Sequence, residues 1–246
     1  MQRTMISRRL FLVGASALTL SACGGNVLGL GPPEGGLIYP LRPTFPAGSG
    51  EKVAWALAIL RPDVVGGLDS ERIALVQADG TLDFYAKATY PDRLPPIVQQ
   101  ALLDSFEASG RIDAVAPEQA ALHADYNLLV EVKHFEARYK TQDGIPEVQV
   151  TLSAKLTTAH GRKIIASFTT DGTATSSVNS VAAVIQTLQD LLGKGATAIA
   201  NWTLNTAPAV PPGQSAETVS PGKPAEQLLH DATRGSGRLR EKLPPQ

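Results

Sequence analysis

The sequence is poor in cysteine, in aromatic residues and in net charge. Of its 246 residues one is cysteine and 5% are aromatic, and the formal net charge is −1. A disulfide within the chain needs two thiols, so the single Cys23 excludes one, and it also excludes a metal site built on several cysteines. A nearly neutral chain lacks the basic surplus that attracts nucleic acid, so we expect no nucleic-acid partner. The 43% of hydrophobic residues suffices for a core.

The sequence also has little that points to catalysis, a cofactor or a metal. No two of the histidines are spaced three or four residues apart; they are His123, His134, His160 and His230. There is no Gly-x-Ser-x-Gly elbow, and Gly193-Lys194-Gly195 lacks the upstream glycine of a phosphate loop. Glu131 and Glu136 could face each other on a strand, but strands routinely carry solvated acids. We therefore predict that the protein is not an enzyme and uses no cofactor or metal.

The first 22 residues have the composition of an export signal. Arg3, Arg8 and Arg9 precede an apolar run over residues 10–20, and the segment contains no acidic residue. A basic start, a short apolar stretch and small residues before a cleavage point are typical of a signal peptide. Eleven helical residues reach only about 16 Å, against a hydrocarbon core of about 30 Å, so a permanent membrane span is not expected.

Two short motifs refine this prediction. Leu20-Ser21-Ala22-Cys23 resembles the bacterial lipobox, which implies cleavage between Ala22 and Cys23 and a diacylglycerol on the cysteine sulfur. The alternative is a lone buried cysteine. The pair Arg8-Arg9, within Ser-Arg-Arg-Leu-Phe-Leu, resembles a twin-arginine export motif, although two arginines also suit an ordinary signal, so the export route stays open. Each buried acyl CH₂ contributes about 0.8 kcal/mol, so several chains on one residue form a stable membrane anchor.

The rest of the chain divides into a tether, one folded domain and a tail. Residues 23–50 are predicted to be a lipidated tether, because positions 24–50 contain eight glycines and five prolines. Residues 206–246 hold seven prolines and few large apolar residues, which predicts a disordered tail. Residues 51–205 carry the strand and helix patterns of the folded domain.

The pattern within 51–205 predicts the order β-β-β-α-(β)-β-β-β-α. Pro95 and Pro96 fit only the first turn of a helix that ends at Gly110, and a second helix is predicted over 177–202. A change of phase in the long strand indicates a β-bulge near His134. Asp79-Gly80 suggests a type I′ hairpin turn, followed by a strand with alternate residues buried. The predicted strands cover residues 53–60, 72–77, 81–90, 111–116 (short), 126–139, 148–156 and 163–170.

Few helices beside many strands indicate an α+β fold. We predict a two-layer domain in which a mixed, mostly antiparallel sheet is packed by two helices, with a flexible N-terminal tether and C-terminal tail. The second helix is long enough for a coiled coil, but Gly193 and Gly195 favour packing in the core of the domain.

The order and spacing of these segments resemble the ABC-type transport auxiliary lipoprotein family, in particular its paraquat-inducible protein C branch. After the lipobox, that family has a Tyr-x-Leu segment, matched here by Tyr39-Pro40-Leu41. The resemblance covers about residues 23–205 and departs from the family at Tyr90-Pro91, where a tryptophan-led segment is common. The other matched segments are residues 72–77, 81–90, 94–106, 126–170 and 177–202.

The resemblance implies a non-enzymatic lipoprotein on the periplasmic side of the cell envelope that assists an ABC-type lipid transport system maintaining the outer membrane. The implied partners are a substrate-binding protein of the mammalian-cell-entry type and the ABC permease and ATPase, with a homo-oligomer as a further possibility. Gly24 stands where aspartate would signal inner-membrane retention, so we expect attachment to the inner leaflet of the outer membrane. The alternatives are an envelope assembly or scaffold lipoprotein without a transporter, and a periplasmic hydrolase or binding protein.

Overall fold

A computed structural model describes residues 36–209, except 121–122 and 161–162. Several predictions therefore lie outside the described residues: the signal peptide with Arg8 and Arg9, the cleavage site between Ala22 and Cys23, the lipidation of Cys23, and most of the tail. The described part contains a sheet of nine strands and two α-helices. In chain order they are β1 (Leu37–Ile38), β2 (Leu57–Ile59), β3 (Asp63–Val64), β4 (Arg72–Val76), β5 (Leu82–Thr89), α1 (Leu94–Ser109), β6 (Val115–Pro117), β7 (Tyr126–Arg138), β8 (Glu147–Thr158), β9 (Ile164–Thr175) and α2 (Val181–Thr206).

Strand β7 is the centre of the sheet. Along one edge it pairs antiparallel with β8 over its whole length, and β9 pairs antiparallel with β8. Along its other edge it pairs in parallel with β2, β3 and β4 in succession. Strands β5 and β1 extend the sheet beyond β4, and β6 pairs with β2. The predicted mixed, mostly antiparallel sheet is confirmed, because the three longest ladders are antiparallel.

The bulge predicted near His134 is present. The register between β7 and β8 shifts between Val132 and His134, so Lys133 is the extra residue. The shift moves the buried side chains of β7 from the phase of Val132 to that of Phe135, which keeps both halves of the strand on the core. Every second residue of β8 is buried against the same core: Val148, Val150, Leu152, Ala154 and Leu156.

Helix α1 forms as predicted. Pro95 and Pro96 lie in its first turn, where the missing N–H groups have no intrahelical partner to lose. Gly110 ends the helix in the left-handed region at φ 62°, a conformation that glycine adopts at low cost. The residues that share its apolar stripe are all buried: Leu94, Val98, Ala101, Leu102, Ser105 and Phe106.

Helix α2 packs on β8 and β9 and lies beside α1. It begins four residues later than predicted, with Ser180 as a cap whose side chain accepts the N–H of Ala183. A Cβ on Gly195 would lie 3.3 Å from Leu152 Cδ1, so a larger residue would hold the helix away from the sheet. The prediction that α2 packs in the core of the domain rather than in a coiled coil is thereby confirmed at Gly195.

Residues 36–50, which we call the strap, are packed on the domain, although the sequence analysis assigned them to the tether. The Tyr39 N–H donates to Thr89 O over 2.8 Å, and the Arg42 N–H donates to Gln189 Oε1 over 2.8 Å. Tyr39, Leu41 and Phe45 are partly buried against the core. The high glycine and proline content explains why the strap has little regular structure, but these three apolar side chains fix it nonetheless. The folded unit therefore begins before residue 51.

The β4–β5 hairpin differs from the predicted type I′ turn. Gly80 is in the left-handed region at φ 87°, whereas Asp79 is not. The Gly80 N–H donates to Gln77 O over 2.9 Å. This geometry fits a three-residue loop, in which a tight turn is followed by one left-handed residue.

The simple alternation predicted for β5 is also wrong. The register of β5 with β4 shifts between Arg72 and Ala74, and Lys87 has a φ of 56°. Because of these irregularities, the residues that point toward the core change from one alternating set to the other along the strand. As a result Leu82 is 42% exposed, whereas Ala88 is buried. Two other lengths differ: the apolar run 53–60 contributes only the three residues of β2, and β9 extends to Thr175.

Replacing Gly193 with leucine should displace the strap. A Cβ at this position would lie 3.1 Å from Thr44 O and 3.3 Å from the Pro43 Cβ, so a leucine has no room there. We expect Gly193→Leu to lower the free energy of unfolding by about 1–3 kcal/mol, measured by urea denaturation. The matched control is Lys194→Leu at the exposed neighbouring position, where the loss should stay within about 0.5 kcal/mol. Equal losses in the two variants would contradict strap packing at Gly193.

Candidate docking surface

One side of the β7–β8–β9 part of the sheet is mostly polar, with Leu129, opposite Lys155, as an exposed apolar residue. In β9 the Thr170 side chain points at α2, because a Cβ on Gly195 of that helix would lie 3.3 Å from Thr170 Oγ1. Gly172 faces α2 as well, because a Cβ added to it would lie 3.2 Å from Leu191 Cδ2. Residues of the opposite phase therefore point away from the helices. We call their surface the outer sheet face: Glu131, His134, Glu136 and Arg138 of β7, Gln149, Thr151, Ser153 and Lys155 of β8, and Ser167, Thr169, Asp171 and Thr173 of β9.

A row of polar side chains crosses the middle of the outer sheet face. His134, Thr151 and Asp171 are directly opposite one another on adjacent strands. The Thr151 hydroxyl donates to Asp171 Oδ1 over 2.7 Å, while Gln149 Nε2 lies 3.4 Å from the same carboxylate oxygen. These hydrogen bonds, Thr151 first, lower the pKa of Asp171, and the nearby His134 lowers it further. Asp171 is therefore held as a carboxylate on the exposed strand.

Glu136 is buried on the outer sheet face, with only 4% of its surface exposed. Its Oε2 accepts the Phe135 N–H over 2.6 Å, and its Oε1 lies 2.8 Å from His134 Nδ1 and 3.2 Å from Arg138 Nη1. The expectation of a solvated acid is wrong for this residue. Beyond the bulge, regular alternation puts His134, Glu136 and Arg138 on the same face of β7. The spacing of two basic residues two positions on either side of an acid was the overlooked indication in the sequence.

Glu131 and Glu136 do not form an acid pair. Glu131 lies opposite Ser153 of β8 and Asp63 of β3, whereas Glu136 lies opposite Gln149, with the His134 row between them. A pair of carboxylates that shares a proton for acid–base chemistry needs close contact. The geometry instead gives Glu136 a structural role that orients Arg138 and His134.

The histidines lie apart from one another. His134 is on the outer sheet face, and His230 is outside the described residues. His123 and His160 line a groove of about 600 Å³, together with Arg61 and Asp63 and with the other lining residues Ala58, Leu60, Glu118, Ala124, Asn127 and Ala159. Within residues 36–209 as described, no three histidine, cysteine, aspartate or glutamate side chains are close enough to hold a metal ion.

A second groove of about 470 Å³ lies between the strap and α2. Its walls mix neutral and charged groups: Thr44, Pro46, Asp190, Gly193, Lys194, Thr197, Ala198 and Asn201. Both grooves are wide depressions that can offer hydrogen bonds and ion pairs to a bound surface. Among the helices of the described residues, none combines the length and apolar character needed to cross a bilayer.

Comparison with known proteins identifies relatives. A family model described as the ABC-type transport auxiliary lipoprotein component matches residues 39–200. An uncharacterized protein, bll6063 of Bradyrhizobium diazoefficiens, is 31% identical over 143 residues, which is 58% of this chain and 38% of that protein. The match thus spans well under half of that relative's own length.

Solved structures share the fold. The crystal structure of protein XCC0632 from Xanthomonas campestris has a TM-score of 0.65 at 29% identity, covering 69% of this chain and 95% of that one. A crystal structure of an uncharacterized protein has a TM-score of 0.52 at 14% identity, over 67% of this chain and 98% of the other. The second likeness shows the fold alone.

Removing the cation beside Glu136 should destabilise the domain. Arg138→Met leaves the buried carboxylate without its guanidinium partner, so we expect unfolding to become easier by about 1 kcal/mol, a modest cost because the Arg138 side chain is 43% exposed. The measurement is urea denaturation of a double-mutant cycle. In the Glu136→Gln background the same substitution should cost less, since no charge is left to pair.

Lys133→Met is the matched control for that cycle, since Lys133 is an exposed cation on the same strand. It should change stability little and show no coupling to Glu136→Gln. The absence of coupling between Arg138→Met and Glu136→Gln would contradict the assigned ion pair.

Proposed function

Because the chain belongs to the ABC-type transport auxiliary lipoprotein family, we propose that it is a lipid-anchored accessory component of an ABC-type lipid transport system. The proposed partners are a substrate-binding protein of the mammalian-cell-entry type and the permease and ATPase that it serves. The proposed task is to maintain the outer membrane. One observation carries this proposal: the family match over residues 39–200 includes most of the strap, every strand except β1, all of α1 and most of α2.

The proposed mechanism is positional. Lipid on Cys23 would hold the domain at a membrane, and thirteen residues, 24–36, separate the anchor from strand β1. A chain of that length spans at most about 45 Å, and a flexible glycine-rich one typically about 20 Å. The domain would then sample a thin layer beside the bilayer. Confinement of this kind raises its effective concentration near a membrane partner, so even a weak interface can be occupied.

We propose the outer sheet face as the surface that contacts the transport partner. Hydrogen bonds between its own side chains hold Glu136, Arg138 and Asp171 in fixed positions before any partner arrives. A polar face of this type can be exposed to water without promoting aggregation when no partner is bound. Its charged groups select a partner by charge complementarity. A binding role also accords with the separation of Glu131 from Glu136 and with the dispersed histidines. We accordingly propose a non-enzymatic function.

The proposed location is the inner leaflet of the outer membrane, on the periplasmic side. It is supported by the sequence around the anchor, where Gly24 follows Cys23 in place of the aspartate that retains lipoproteins in the inner membrane.

Loss of the anchor should release the domain. We expect Cys23→Ala to appear in the soluble periplasmic fraction, or as an uncleaved precursor, because no sulfur is present to accept lipid. Cell fractionation with mass determination of each pool checks this. Asn26→Ala, three residues beyond the motif, is the control and should stay in the membrane fraction. A Cys23→Ala protein that is mature and still membrane-bound would contradict lipid anchoring.

Partner binding tests the docking surface. Ser153→Arg places a long cation in the middle of the outer sheet face, whereas Gln100→Arg places the same side chain on the exposed side of α1. We expect the affinity-tagged wild type and Gln100→Arg to retrieve transport subunits from detergent-solubilised membranes. Ser153→Arg should retrieve at least about tenfold less of these subunits. A repulsive or poorly fitting side chain at the centre of the interface costs over about 1.4 kcal/mol of binding free energy. Retrieval of envelope assembly proteins without transport subunits would favour the scaffold alternative.

A further inference from the structure

Strand β9 has a long edge that the described part of the chain leaves unpaired. β9 contains 12 residues and pairs only with β8, so its other edge runs free for about 40 Å. A free strand edge presents a row of unpaired N–H and C=O groups and readily accepts another strand.

The features that usually protect such an edge are sparse in β9. Its sequence, Ile-Ile-Ala-Ser-Phe-Thr-Thr-Asp-Gly-Thr-Ala-Thr, contains no proline and no lysine, and Asp171 is its one charged residue. The register shift with β8 lies near its first residues, between the pairs Leu156–Ala166 and Thr157–Ile164. From residue 166 to residue 175 the strand is regular, and so it can pair without obstruction.

The described chain enters the sheet at the edge opposite β9 and ends beside the start of β7. The N-terminal segment enters the sheet at β1, which lies at the opposite edge beyond β5 and β4. The C-terminal segment starts close to the beginning of β7, where the Tyr126 hydroxyl donates to Pro208 O over 2.7 Å. Its next fifteen residues, 210–224, include four prolines, which lack the N–H that a strand ladder requires. These positions favour a complementary strand from another molecule.

We propose that β9 pairs antiparallel with β9 of a second copy of this chain, with the two Thr170 residues opposite each other. In this register Phe168 of one copy lies opposite Gly172 of the other, so no side chain of the partner strand stands directly against the ring. Asp171 lies opposite Thr169, whose hydroxyl can donate to the carboxylate. A shift of one residue pair along the edge would instead place the two Asp171 side chains opposite each other, and like charges directly opposite are destabilising.

The partly buried aromatic side chains beside this edge also favour pairing with a second copy of the chain. Phe168 stacks on Trp202 with ring centroids 5.4 Å apart, and both rings are only partly buried. An added strand would cover this aromatic pair on both copies at once. The two-fold pairing keeps both helix layers on the same side and joins the outer sheet faces of β7–β8–β9 into one surface. The pairing needs neither the anchor nor the transport partner, so its failure would leave the proposed function standing.

Disulfide trapping tests the pairing and its register. Full-length chains carry Cys23→Ser, which removes the only native cysteine, and are purified in detergent. One chain also carries Thr169→Cys and the other Asp171→Cys. Directly opposite residues lie within disulfide reach, whereas residues offset by two do not. We expect the mixture of the two chains to form cross-linked dimers rapidly on oxidation.

Other cysteine pairs report the competing registers. Thr169→Cys alone would cross-link faster if the two Thr169 residues faced each other, and Thr169→Cys mixed with Thr173→Cys would do so if the two Asp171 residues faced each other. Either result would overturn the proposed register. A failure of all three samples to cross-link would overturn the pairing itself.

Charge substitutions give a second readout in the same assay. Ser167 and Thr173 are both exposed and would face each other across the pair. Ser167→Asp with Thr173→Asp places acids opposite each other twice, so the yield of trapped dimer should fall at least about tenfold. Ser167→Asp with Thr173→Lys places opposite charges there and should keep the yield. Equal yields in the two backgrounds would contradict the proposal.

Discussion

The antiparallel ladder between β7 and β8 is the constraint on which the rest of the structure depends. Both strands span twelve or more residues, and their inner side chains form the floor of the core on which α2 lies. Every other strand pairs with this ladder directly or through one neighbour, except β1. Because side chains alternate along a strand, the same ladder that buries Leu128 and Leu152 must present a second face on its other side, and the residues of that face are mostly polar. The candidate docking surface is thus a direct consequence of the core.

Much of this fold could be predicted from the sequence, because the relevant information is local. The two prolines and Gly110 mark the ends of α1, and the change of phase beside His134 marks the bulge. The strap could not be predicted from composition, since glycine and proline describe the backbone alone. Its position depends on where Tyr39, Leu41 and Phe45 find apolar partners in the distant helices and sheet. The short parallel strands β2 and β3 depend on β7 in the same non-local way.

The candidate site was predictable only in part. Alternation along β8 indicates an outer polar face, but the burial of Glu136 arises from the bulge and from His134 and Arg138 acting together. The residues with the most specific sequence motifs, Arg8, Arg9, Ala22 and Cys23, lie outside the described residues. Family membership therefore carries the functional proposal, and the described domain supplies the surfaces with which such a component could act. Position at the membrane, rather than a reaction, would be its contribution.

The most direct test of this account is the intact mass of the protein isolated from its native membranes, followed by fragmentation of the N-terminal peptide. The account predicts a mature chain that begins at Cys23 and carries a diacylglycerol on the sulfur, with further acylation of the new amino terminus allowed. A chain that retains residues 1–22 in the mature pool, or a free thiol at Cys23, would contradict it.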